Sequence, residues 1–113
     1  MSNLIGNTVS ALFASQLRVS NAANNIANAD SRNFTPQDVV QSSDAGSVQA
    51  QLVKRDPASV TILNSQGELD TVPNVDLGQE TVTAQLATYD FKANATVLKA
   101  ERDLQKKLFD IFA

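Results

Sequence analysis

Four carboxylates lie close together in the chain, Glu68, Asp70, Asp76 and Glu80. Two of them on one surface could serve as acid and base in a hydrolase, or share a cation. The chain has no His and no Cys, which removes imidazole metal sites, thiolate nucleophiles and disulfides together. Each carboxylate also has an ordinary role open to it. Glu68 follows the turn residue Gly67, Asp76 can cap a helix, and Glu80 would sit in that helix's first turn, where the dipole favours an anion. A base, an orienting partner and a pocket do not come together. The chain reads as a non-enzyme with no catalytic, cofactor-binding or metal residues.

Side-chain amides are the second chemical resource. Asn21, Asn24, Asn25 and Asn28 crowd into one short stretch, although Asn is a poor interior helix residue because its amide competes for backbone hydrogen bonds. In the plain reading they fray and cap a helix end. In the sharper one Asn24 and Asn28, one turn apart, form a polar row beside an apolar seam. Asn24, Asn25 and Asn28 then hydrogen-bond to a neighbouring chain and fix register at some cost in stability.

Two helical segments at opposite ends must position these groups. The first places Ile5, Leu12, Val19 and Ile26 at seven-residue spacing, with the small residues Thr8, Ser15, Ala22 and Ala29 three positions after each. This is the spacing of a coiled-coil seam. Ser2 or Asn3 can cap it, and the small row would let a partner helix approach closely. The second segment runs Val82, Leu86, Tyr89, Ala93, Val97, Ala100, Leu104, Leu108, Ile111, an eleven-residue repeat that predicts a straight or slightly right-handed helix. Pro73 closes what precedes it, Asp76 caps it, and Gln79 can reach back to the cap. Lys92, Lys99, Glu101, Arg102, Asp103, Lys106, Lys107 and Asp110 mix both signs on a solvated face. The expectation is that Ile5, Leu12, Val19 and Ile26 pack on Val82, Leu86, Ala93, Val97 and Leu104 as an intramolecular pair.

Between the helices the periodicity stops. Residues 30–44 read as an extended exit, with Pro36 pushing Thr35 toward extended geometry, and residues 41–47, which include Gly46, read as a mobile loop. Val48, Ala50 and Leu52 then alternate with other residues, and Val60-Thr61-Ile62-Leu63 follows, giving two short strands. Asn64-Ser65-Gln66-Gly67 signals a turn before a possible third strand over residues 69–72. The expected fold is mainly α with a small β element. The N- and C-terminal helices pair as an α-helical coiled coil, with a short β-hairpin or meander in the middle, divided as 1–31, 32–74 and 75–113.

Bulk properties narrow the function. A chain of 113 residues with 5% aromatics and no Trp lacks the large side chains that usually line a small-molecule pocket. A formal net charge of -3, with no basic window free of acids, gives no electrostatic footprint for nucleic acid. No stretch is apolar enough to span a bilayer. The N-terminal run lacks the basic start, continuous apolar core and cleavage pattern of a secretory signal. Export would need a route that reads an uncleaved, amphipathic N-terminus.

Ala23-Asn24-Asn25-Ile26-Ala27-Asn28-Ala29, followed by Asp30-Ser31 and Phe34, resembles the A-N-N-I-A-N-A-N-T-P-G-[FY] signature of bacterial flagellar axial proteins of the rod and hook type. The far end is similar to that family's C-terminal helix through Asn74-Val75-Asp76-Leu77, Glu80, Ala93-Asn94, Val97-Leu98, Ala100 and the closing residues Leu108 to Ile111. The match covers about the first 34 and last 40 residues. The short middle, Pro73 to Asp76 and the segment around Val53 to Pro57 look most like the C-type proximal rod proteins. The chain departs from the signature at Asp30-Ser31, where Asn-Thr is usual, and at Arg32 and Asn33, where Pro-Gly is usual.

The resemblance implies a structural subunit of the flagellar basal-body rod. Its two terminal helices would pair into a coiled-coil layer, and subunits would stack helically around an export channel to transmit torque. The interface set would then be the Ile5 and Val82 stripes together with Asn24, Asn25, Asn28 and Asn94. The implied partners are copies of the chain, other rod proteins, the export apparatus and the membrane ring, with no cofactor, no nucleic acid and no small-molecule substrate. The implied location is the rod crossing the periplasm, reached through the flagellar (type III) export route without a cleavable signal peptide. The competing reading is a soluble helical-hairpin adaptor or export chaperone that uses the same stripes on one partner and never polymerises.

Overall fold

The computed structural model describes residues 2–113. In chain order the elements are α1 (Ser2–Ala27), β1 (Gln37–Asp44), β2 (Ser47–Lys54), β3 (Ser59–Leu63), β4 (Leu69–Pro73) and α2 (Leu77–Phe112). The architecture is mixed, with a long helix at each end and two small antiparallel sheets between them. It is a rod rather than a globule. The molecule measures 76 × 23 × 16 Å with a radius of gyration of 19.7 Å, against about 13 Å for a compact domain of this length. None of the described helices is long and apolar enough to cross a membrane.

The start of α2 follows from its sequence. Asp76 is extended (φ -94°, ψ 108°), and its carboxylate accepts the Gln79 backbone N–H at 3.0 Å, satisfying one of the donors a helix start leaves free. Glu80 lies in the first turn. At the other end of the chain α1 already includes Asn3, so Asn3 does not cap it, and the Ser2 side chain lies outside what is described. Helix α1 ends where the Asn28 side chain turns back to the Asn24 carbonyl at 3.0 Å and the Asn24 Oδ1 at 3.2 Å.

The two helices pack side by side and antiparallel. Asn25 meets Glu80, Arg18 meets Asp90, and Thr8 meets Glu101. The side chains buried along α1 are Thr8, Ala14, Ser15, Ala22 and Asn25; along α2 they are Glu80, Ala87 and Glu101. The small row of α1 thus faces α2, and the expected seam is corrected. Val82, Leu86, Tyr89, Ala93, Val97, Ala100, Leu104, Leu108 and Ile111 are all exposed, and Ile5, Leu12, Val19 and Ile26 lie half-buried on the flank. Small side chains let the two backbones approach closely. The larger stripe of α2 is turned aside from Glu80 and Ala87, and its residues Val97, Leu104 and Leu108 flank Glu101 at helical spacing yet stay exposed.

Strands β1 and β2 form a hairpin in which Gln37 pairs with Lys54 and Asp44 with Ser47. The turn is the two residues Ala45 (φ 49°) and Gly46 (φ 85°), the double left-handed pattern that suits the twist of a tight hairpin. The mobile loop expected over 41–47 is therefore mostly ordered strand. Gln41, Ser42 and Ser43 carry little strand propensity, but the backbone ladder and α1 supply what their side chains do not. Ser10 Oγ accepts the Val48 N–H at 3.0 Å, and a side chain at Gly46 would meet the Asn7 amide at 2.8 Å. Strands β3 and β4 form a second, separate hairpin, with Ser59 opposite Pro73 and Leu63 opposite Leu69, so no three-stranded meander exists among the described residues. Asn64 closes its turn by accepting the N–H groups of Gln66 and Glu68.

Candidate assembly interface

Two features stand out once the elements are placed: a polar clasp at one end of the helix pair and an apolar stripe along the outside of α2. The clasp is built on Asn25, which is fully buried. Its amide reads both backbone groups of Gln37, donating to the carbonyl at 2.8 Å and accepting the N–H at 3.2 Å. Asn21 donates to the same carbonyl at 2.7 Å. One residue of β1 is thereby tied to α1 by two amides a turn apart.

Asn25 also reaches Glu80 across the helix pair at 3.4 Å, and Glu80, only 4% exposed, is neutralised by Arg55. Arg55 follows β2 and uses its whole guanidinium fork. It bonds Asp38 of β1 at 2.6 Å, the Asn74 carbonyl just before α2 at 2.7 Å, and Glu80. The hydrogen bonds to Asp38 raise the affinity of Arg55 for its proton above the ordinary arginine value; burial opposes this and Glu80 reinforces it. Three groups, from β1, from the residues before α2 and from α2 itself, converge on this one cation.

The predicted polar groups fare differently. Asn25 is satisfied within the chain, so the expectation that it bonds a neighbouring subunit is corrected: burial and the unpaired backbone of Gln37 claim it first. Asn24 and Asn28 do form a polar row, but they bond each other, and Asn28 Oδ1 also accepts from Ser31. That is the end-capping role. Asn94 is half-buried and lines a small cleft with Ser15 and Arg18. The four carboxylates that open the chemical reading do not converge. Asp76 caps α2, Glu80 pairs with Arg55, Asp70 accepts from Asn64 at 3.4 Å, and Glu68 sits exposed at its turn. Among the described residues no group of three or more potential metal ligands comes together.

The stripe is the larger feature. Val82, Leu86, Tyr89, Val97, Leu104 and Leu108 present apolar surface to solvent over the length of α2, ending in Ile111 at 76% and Phe112 at 85% exposure. Ile26 and Val19 line shallow grooves beside it with Thr88, Tyr89 and Phe91. Single exposed apolar residues are ordinary, whereas a contiguous run of this kind is a candidate contact surface.

No family model and no curated protein matches this chain. The residues of the clasp outside the helices, Arg55 and Asp38, carry no periodic signal. An isolated Arg after a strand and an Asp within a β segment read as surface charges until the turn brings them under α2.

Proposed function

We propose that this chain is a structural subunit of the bacterial flagellar basal-body rod, most like the C-type proximal rod proteins, that polymerises with copies of itself and with other rod proteins. The observation that carries this reading is the solvent-facing apolar stripe of α2 in an elongated molecule whose helices, among the described residues, bury no apolar side chain larger than alanine: Ala14, Ala22 and Ala87. A monomer leaves such a surface wet, whereas a helical assembly covers it on every subunit through a head-to-tail contact that repeats. In that assembly the α1–α2 pair serves as the coiled-coil layer, with the Ile5 stripe and the Val82 stripe meshing between copies.

Two further observations support the family resemblance. The segments that carry it meet in space, because Asn25 of the first bonds Glu80 of the second. At the departure from the signature, Asn33 stands where glycine is usual, and it adopts φ 64°. That is the left-handed conformation that glycine takes freely and Asn tolerates best after it. Asn33 also receives Thr71 Oγ1 at 3.0 Å, tying the second hairpin to the exit from α1.

Location in the rod, export as an uncleaved chain, and contact with the export apparatus and membrane ring belong to the same proposal. Cryo-electron microscopy of basal bodies from the source bacterium tests it, with density for two long helices per subunit between membrane ring and distal rod as the expected result. At the bench, wild-type protein should sediment as concentration-dependent polymers, and Val97→Asp should abolish them while leaving the circular dichroism spectrum intact. A fixed small oligomer at all concentrations, insensitive to Val97→Asp, would move the adaptor or chaperone reading ahead.

A further inference from the structure

The helix pair contains a second buried glutamate, and its surroundings differ from those of Glu80. Glu101 is 6% exposed, on the face of α2 that meets α1. Its Oε1 accepts from Thr8 Oγ1 at 3.0 Å, but that hydroxyl stands equally close, at 3.0 Å, to the Leu4 carbonyl. A hydroxyl has one proton, so it serves one acceptor at a time. Oε2 of Glu101 is buried with no hydrogen-bond partner, and no Lys or Arg among the described residues forms an ion pair with this carboxylate. A buried carboxylate left half-paired opposes closure of the structure around it.

The packing around Glu101 does not compensate. Of the buried alanines, Ala22 and Ala87 lie between the Arg18–Asp90 pair and Glu80, and only Ala14 lies between Arg18 and Thr8; between Ser2 and Thr8 no described α1 residue is buried except Thr8 itself. Leu4 and Leu104, beside the Thr8–Glu101 contact in sequence, are more than half exposed. The side-chain hydrogen bond that joins the two helices at this end is the shared one from Thr8, while Ser10 ties the same stretch of α1 to β2 rather than to α2.

We infer that Glu101 is a built-in brake on closure of the α1–α2 pair: its unpaired oxygen keeps the Thr8 end separable while the Glu80 end stays shut. The first turns of α1 open from α2 as a local unit, without unfolding of the clasp. The opening is a property of the single chain. Its use, exposing more of both helices to an incoming copy, rests on the assembly reading above.

Native-state hydrogen exchange on the full chain tests it. In wild type, amides of residues 4–11 and 98–105 should exchange well ahead of those near Asn25 and Glu80. Glu101→Met, which keeps length but removes the charge, should slow the first group by about ten- to a hundredfold, the range expected for relieving one buried unsatisfied group, and leave the second unchanged. Glu101→Gln, close in shape to the native side chain, guards against a misfit of Met and should slow the same amides by a smaller factor. If both variants leave exchange at the Thr8 end unchanged or accelerate it, the carboxylate stabilises the pair and the inference is wrong. Sedimentation of the same samples separates the two ideas. A wild type that never polymerises overturns the assembly reading, whereas the exchange rates alone decide whether the brake exists.

Discussion

The two ends of the helix pair are each organised around a buried glutamate, and the two are treated oppositely. Glu80 receives a guanidinium from Arg55 and an amide from Asn25, and these partners are themselves anchored to Asp38, Gln37 and Asn74. Glu101 receives one hydroxyl that also faces the Leu4 carbonyl, and its second oxygen has no partner. Burial alone therefore says little about what a carboxylate does to stability. What decides is how many of its lone pairs are met and whether the partners are held in place. The chain has concentrated its polar satisfaction where the helices join the first hairpin, and left the far end lightly fastened.

The largest effect should come from breaking the fastened end. Arg55→Ala would leave Glu80 buried beside only an amide and remove the bridge from β1 to the start of α2. Losing one partner of a buried ion pair costs about 3–5 kcal/mol, and urea denaturation followed by helical circular dichroism should register a loss near that range. Arg55→Lys should restore less than half, because a point charge cannot reproduce the fork that reaches Asp38, Glu80 and Asn74 together. A loss below about 1 kcal/mol, the usual scale of an exposed pair, would mean that the clasp does not differ from an ordinary surface contact, and the contrast between the two ends would collapse.

Next in size is Asn25→Ala. It removes both bonds to Gln37 and leaves that backbone carbonyl and N–H less satisfied, worth about 1–3 kcal/mol. Protection of the Gln37 amide against exchange should fall with it. Asn24→Ala and Asn28→Ala, which touch only local helix-end partners, should each stay within about 0.5 kcal/mol of wild type. Equal effects at all three positions would place the asparagines in one common role and contradict the distinction between Asn25 and its neighbours.

How much of this was legible in the sequence depends on which force set each feature. The Asp76 cap, the close-packing small row Thr8, Ser15, Ala22, and the strands around Val48–Leu52, Val60–Leu63 and Leu69–Val72 follow from local chemistry, and the structure contains each of them. The seam of α2 is not legible in the sequence because periodicity shows that a helix has an apolar stripe without showing what covers it. In this molecule Ala87, Glu80 and Glu101 face inward while Leu86 and Val97 face out. Strand β1 was hidden because Gln41, Ser42 and Ser43 are held by a backbone ladder, which leaves no mark in side-chain types. Arg55 was hidden for the opposite reason: its side chain is conspicuous, but its partners Asp38, Asn74 and Glu80 come together only after two hairpin turns.

The smallest effect is expected midway between the two ends, where Arg18 bonds Asp90 at 2.9 Å. It is the one described ion pair joining the helices directly, yet the Asp90 side chain is 55% exposed, so water screens the attraction and competes for both partners. A double-mutant cycle with Arg18→Ala and Asp90→Ala should give a coupling of about 0.2–1 kcal/mol that shrinks as salt is added. Its value matters beyond its size. If the coupling exceeded about 2 kcal/mol, the middle of the pair would be strongly fastened in its own right, and separation at the Thr8 end would have to stop at Arg18 because of that ion pair. With weak coupling, the polar fastening among the described residues of the helices is concentrated at Glu80, and how far an opening begun at Thr8 travels is set by the small apolar contacts of Ala14, Ala22 and Ala87.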